Sequence, residues 1–172
     1  MKKLLSLVVL VTASSAFAAN AYTGASVGYL LDSEEAYFAG HIGVEVGKSA
    51  SLLHGLELEV GYASDNESGI SGDIVPVLAN YRLKVQPASN ALGFYAGAGI
   101  GASYIYLSGY GLSDSSWSFT AQGFAGLEYR AAPNVSLRAG ARYLWIDDVK
   151  LFGYSAEVGD DVALEAGVSF RF

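Results

Sequence analysis

Eleven charged side chains obey one positional rule, and any chemistry in this chain would begin with them. The acids are Glu45, Glu57, Glu59, Glu128 and Glu165; the bases are Arg82, Lys84, Arg130, Arg138, Arg142 and Arg171. Each lies in a segment where apolar and polar residues alternate, on the face opposite the apolar one. Glu57 and Glu59 oppose Leu56, Leu58, Val60 and Tyr62; Arg138 and Arg142 oppose Leu137, Ala139, Ala141, Tyr143 and Trp145. Strand side chains point alternately to opposite faces, so each segment is a strand with one greasy and one charged face. Five acids against six bases are nearly balanced, as a set that pairs internally must be. Buried charge needs such partners, because an isolated ion is costly away from water. A core of ion pairs is the first expectation. A narrow channel for small solutes or ions, gated by these pairs, is the alternative.

Other reactive residue types are sparse. His41 and His54 are the only histidines, and the pattern puts them apart, one on the charged face and one in a turn, so no metal cluster is expected. An enzyme acting on lipid would need a Ser or Asp beside a His near one rim, and no such pair is visible. Residues 97–102 spell G-A-G-I-G-A, the letters of a dinucleotide fingerprint, but a strand follows where a helix is needed. No catalytic residue, cofactor or metal is therefore assigned. Asp147 and Asp148 with Asp160 and Asp161 bracket the longest loop and would face each other at its base. Solvated acids are the expectation there, with a divalent cation as the alternative.

Eight alternating segments position the charges, at roughly 22–31, 36–47, 55–63, 74–85, 92–107, 117–130, 136–146 and 162–172. The connections form two sets. Those after the first, third, fifth and seventh strands (32–35, 64–73, 108–116 and 147–161) hold 12 of the 17 acidic residues and one base, Lys150. Those after the second, fourth and sixth (48–54, 86–91 and 131–135) hold no acid. Up-and-down connectivity gathers the acidic set at one end of a barrel. The inward parity also carries many glycines, Gly24, Gly43, Gly61, Gly97, Gly126 and Gly140 among them, expected to make room for long Arg and Glu chains.

The chain opens on Met1-Lys2-Lys3, an apolar run and a small-x-small site at Ala16-Phe17-Ala18. That predicts a signal peptide over residues 1–18, leaving 19–172 as one barrel domain. Losing Lys2 and Lys3 takes the net charge from −7 to −9. Such acidity excludes nucleic acid as a partner. There is no Cys, so stability cannot rest on disulfides. With 21 Gly, 12 Tyr and 3 Pro, the chain is better material for strands than for helices.

Which face points inward depends on the solvent. Aromatics on the apolar face gather at both strand ends: Tyr29, Phe38, Tyr62, Tyr104, Tyr106, Trp117, Phe119, Tyr143 and Trp145 at one, Tyr81, Phe94, Tyr129, Phe170 and Phe172 at the other. Two girdles match the two interfaces of a bilayer, which puts the apolar face toward lipid and the charges inside. The expected fold is all-β, an eight-stranded antiparallel up-and-down transmembrane β-barrel. Eight strands leave an interior that side chains can fill.

The segments 76–82 (P-V-L-A-N-Y-R), 95–102 (Y-A-G-A-G-I-G-A), 125–130 (A-G-L-E-Y-R), 141–144 (A-R-Y-L) and 168–172 (V-S-F-R-F) resemble the small eight-stranded bacterial outer-membrane β-barrels, the OmpA/OmpX-like and opacity-protein-like porin-family group. The resemblance spans about residues 22–172. It implies location in the cell outer membrane, contact with outer-membrane lipid, and delivery by periplasmic chaperones to the barrel-assembly machinery, with Phe170 and Phe172 as the assembly signal. It also places the acidic loops outside the cell and the termini in the periplasm. The expected role is structural or surface-interacting, in a monomer without enzymatic activity. A porin-like channel or a lipid-modifying enzyme would be the rival roles. No peptidoglycan-binding domain is expected after the barrel, so cell-wall anchoring is not expected to carry over.

Overall fold

A computed structural model describes residues 20–49, 51–67, 70–85, 91–110, 112–151, 154–156 and 158–172. The expected signal peptide, Glu157 among the loop acids and most of the 86–91 connection lie outside the described residues.

The alternation becomes eight antiparallel barrel strands: β1 (Ala21–Leu30), β2 (Ala36–Ser49), β3 (Leu52–Glu67), β4 (Ile70–Val85), β5 (Leu92–Gly109), β6 (Leu112–Ala132), β7 (Val135–Ile146) and β10 (Gly159–Arg171). Each pairs with its neighbour in sequence, and β1 pairs with β10 to close the ring. Closure leaves no row of unpaired backbone groups, which a bilayer would not tolerate. We term the end where β1 begins and β10 finishes the inner end, and the opposite end the outer.

The strands run further outward than the alternation suggests. β5 has 18 residues and β6 has 21, where a membrane crossing needs about 9–11. Asp65, Asp73 and Asp114, read from sequence as loop residues, thus sit on paired strands. Above the bilayer both faces of a sheet meet water, so the period-2 pattern fades although the ladder continues. A further hairpin, β8 (Val149–Leu151) with β9 (Tyr154–Ala156), forms inside the last outer connection. Gly159, at φ +82, turns the chain from that connection into β10, a conformation that strains any side chain.

The outward face is apolar, with Leu58 63% and Ile100 62% exposed at mid-height. The two aromatic sets flank this band, Trp117 and Phe119 at the outer end and Phe94 and Tyr129 at the inner. Phe119 and Trp145 pack edge-on at 6.0 Å, and Tyr104 and Trp117 pack tilted at 5.4 Å. Such pairs add about 0.5–1.5 kcal/mol beyond burial.

Candidate functional site

The interior divides by height. Its inner half is a chain of ion pairs. Glu128 on β6 meets Arg82 and Lys84 on β4. Arg82 reaches Glu57 on β3 at 3.2 Å, and Arg138 on β7 lies 3.8 Å from the same carboxylate. One layer outward, Arg142 joins Glu59 and lies 3.0 Å from Glu165. Gln122 donates to Asn80 at 2.7 Å and to Glu59 at 3.3 Å, which fills the remaining acceptor capacity. Tyr22 donates to Glu57 at 2.9 Å. Glu57, Glu59, Arg82, Lys84, Glu128 and Arg142 are all buried.

Strand parity delivers these groups, but rings order them. The Tyr95 ring has the Arg82 guanidinium 5.2 Å and the Arg138 guanidinium 5.6 Å from its centre. Arg142 lies over Tyr37 at 5.2 Å and near Phe124 at 5.9 Å. An aromatic face attracts a cation, and guanidinium stacks on it well. The rings also explain the inward glycines. A Cβ on Gly140 or Gly126 would meet the Tyr95 hydroxyl at 2.6 or 2.7 Å, and one on Gly43 would strike Tyr22. Gly61 and Gly97 likewise face Tyr37 and Phe124, and Gly24 faces His41. These six glycines make room for rings rather than for Arg and Glu chains, whereas Gly28 faces Glu165.

Two of the eleven charges stand apart, and one is unpaired. Glu45 and Arg171 pair at the inner mouth, where Arg171 is exposed. Arg130 is exposed and has no ion pair among the described residues. The β6–β7 register shifts between Arg130 and Ala132, and a bulge of this kind re-aims side chains at a barrel rim. Arg130, Lys84, Glu128 and Arg171 line a small inner recess of about 30 Å³. His41 is buried with Arg138 Nη2 at 2.9 Å from its Nε2, and Ser169 Oγ at 3.4 Å. His54 sits at the inner rim with the Tyr81 hydroxyl.

The outer half of the interior is apolar, which the sequence reading missed. Leu78, Ile105, Leu144, Ile146 and Val149 form one buried cluster, edged by Ile74, Leu107 and Val158. Leu30, Tyr37, Ala39, Ala63 and Ala163 form another. Between them the outer mouth holds two recesses of about 280 and 240 Å³. The buried Ser103–Thr120 hydrogen bond, 2.6 Å, adds a polar contact on β5 and β6. The available signal was parity: Ile74 and Leu78 share it with Asn80, Arg82 and Lys84.

The loop acids do not converge as pairs. Asp161 turns to the first outer connection, accepting from the Asp32 and Ser33 backbone N–H groups at 3.0 Å each and from Ser33 Oγ at 2.7 Å. Partial burial pushes its carboxyl up, but these donors outweigh it and hold Asp161 below the usual aspartate range. Asp147 caps the N–H of Asp148 at 2.9 Å. Tyr62 donates to Asp73 at 2.7 Å. Among the described residues no three His, Cys, Asp or Glu side chains are grouped to hold a metal ion.

A closed eight-stranded barrel with a lipid-facing apolar band between two aromatic girdles defines a transmembrane β-barrel protein. The family comparison agrees. Residues 4–172 match the outer membrane protein beta-barrel domain, and the chain belongs to that family. It is a protein of the bacterial outer membrane. Its fold is similar to the N-terminal β-barrel domain of OprF from Pseudomonas aeruginosa, with 18% identity and a TM-score of 0.61 over 90% of this chain and 98% of that one. It is similar to Neisserial surface protein A, with 18% identity and a TM-score of 0.60 over 88% and 96%. The attachment invasion locus protein Ail of Yersinia pestis follows at 17% identity and a TM-score of 0.58 over 89% and 97%. At such identities the likeness is one of fold. No curated protein sequence is significantly similar to this chain.

Proposed function

We propose that this protein is a non-conducting outer-membrane barrel whose role is structural or surface-interacting, exerted through its acidic outer end. The observation that carries this reading is the cross-linked inner interior. Arg82, Lys84, Arg138 and Arg142 each engage one or more of Glu57, Glu59, Glu128 and Glu165, and the bonds cross the lumen from β4 to β6 and from β3 to β7. A solute would have to part several buried pairs at once, each of which loses its partner in a low-dielectric setting. An open pore would leave its charges in water with one sign dominant.

Residues 1–18 act in this reading as a cleaved export signal, and Phe170 and Phe172 present the closing strand to the assembly machinery after periplasmic chaperones deliver the chain. The barrel works as a monomer and carries no catalytic set. His41, the one histidine in the lumen, is occupied by Arg138 rather than set beside a free nucleophile near the outer rim.

Liposome swelling tests the proposal. Vesicles holding the refolded full chain should swell in small sugars at the rate of protein-free vesicles. Swelling that falls with sugar size would make the protein a porin-like channel and overturn the closed-barrel reading.

A further inference from the structure

We propose that the outer mouth of the barrel binds a small amphipathic cation, an ammonium or guanidinium group carrying an aryl or short alkyl chain. The proposal rests on the closed-barrel reading and names a ligand class for its outer end.

The two outer recesses share Leu30, Ser33, Ala63, Ile74 and Val158, so they form one two-lobed vestibule. Ile74, Ile105, Leu107 and Val149 line the first lobe; Tyr37, Leu144 and Ile146 line the second. Apolar walls around a water-sized void gain by receiving an apolar group, at roughly 25 cal/mol per Å² of surface removed from water. Ligand sites usually combine such walls with a few polar groups that fix orientation. Here the polar groups have one sign. Glu35, Asp65 and Asp73 line the first lobe and Asp32, Asp160 and Asp161 the second, and among the described residues no Lys, Arg or His lines either.

These acids are not equivalent. Asp161 is tied to the first outer connection and Asp73 to Tyr62. Glu35 and Asp65 have no ion-pair partner among the described residues. They stand at the edge of the apolar floor, where a bound cation would meet them.

The chemistry selects among ligands. A mouth of uniform negative charge concentrates cations and repels anions, so fatty acids and acidic lipid headgroups are disfavoured. A neutral apolar molecule would use the floor and forgo the rim. A fully polar cation would do the reverse. Only a ligand with both parts engages both features.

The test uses the full chain refolded into phosphatidylcholine nanodiscs, with three matched probes: phenethylammonium, 2-phenylethanol and phenylacetate. Calorimetric or NMR titration should give saturable binding of phenethylammonium about tenfold tighter than of 2-phenylethanol at low salt, with phenylacetate weaker still. The preference should shrink as salt rises from about 0.05 to about 0.5 M. The double variant Glu35→Gln, Asp65→Asn should weaken the cation about fivefold and leave the alcohol unchanged. A second variant, Val158→Phe, should weaken both by filling the vestibule, with native folding of each variant checked by gel mobility before and after boiling. Equal binding of all three probes, no saturable binding, or full affinity in the double variant would overturn the site. A silent barrel that binds nothing would sink this proposal alone; a conducting barrel that binds the cation would sink the closed-barrel reading alone.

Discussion

The inner and outer halves of this barrel are built by the same strands on the same inward parity, yet they solve opposite problems. Along β4, Arg82 and Lys84 point into the inner half and Ile74 and Leu78 into the outer. The inner half holds charge that is satisfied from across the lumen, and its recess of about 30 Å³ has room for only a couple of waters. The outer half holds apolar walls that leave a vestibule of about 280 Å³ in its larger lobe. Polar networks close a lumen because each group needs a specific partner at a specific distance. Apolar residues carry no such demand and tolerate a gap. The comparison teaches that inward polarity in a small barrel varies with height, and that the half that carries charge is the more tightly filled one.

Substitutions can break this contrast. Arg142→Ala should have the largest effect, because it strands Glu59 and Glu165 inside the protein. Loss of one partner of a buried pair costs about 3–5 kcal/mol. Urea unfolding from lipid vesicles would read it. Leu144→Ala, in the outer floor, should cost less, about 2 kcal/mol, at the low end for a buried Leu because its site borders a recess that water can enter. If Leu144→Ala were the more damaging of the two, the ion pairs would not be the structural centre.

A glycine pair sharpens the same contrast. Gly140→Ala would push a methyl against the Tyr95 hydroxyl and the Ala125 carbonyl oxygen, and should cost about 1–3 kcal/mol. Gly123→Ala on the outward face meets nothing within 4 Å and should stay within about 0.5 kcal/mol of the parent. The same unfolding series checks both.

Among the substitutions that remove a contact, Asp161→Asn should have the smallest effect, about 1 kcal/mol, because the amide has one uncharged acceptor oxygen and its NH2 cannot accept from the second of the Asp32 and Ser33 N–H groups. The sign with pH follows from its lowered folded value. Its contribution is fully present above the unfolded aspartate value of about 3.8 and is lost as pH falls through the lower folded value. The acid limb of the stability curve should therefore flatten in the variant. An unchanged acid limb would remove Asp161 as a tie between the first and last outer connections.

Much of the fold was legible because the charges mark the period. Glu57 and Glu59 in β3, and Arg138 and Arg142 in β7, share one parity and betray the inward face whatever the length of the strand. The outer lumen was not legible for the complementary reason. At residues 74–79, 104–107 and 143–146 the lipid face and the lumen face are both largely apolar, so alternation gives no signal and the segment reads as one greasy run. Pairing was equally hidden. That Arg82 meets Glu128 rather than Glu165 depends on strand stagger around the ring, which no single strand encodes. The exposure of Arg130 depends on a bulge, and the tie from Asp161 to Ser33 spans 128 residues.

Single-channel recording across a planar bilayer tests the closed inner half most directly. The refolded wild-type protein should show no steady openings, and Arg142→Gln should show at most brief, irregular events. Stable wild-type openings whose conductance shifts in Arg142→Gln or Glu128→Gln would contradict the account, because the ion pairs would then line a working path.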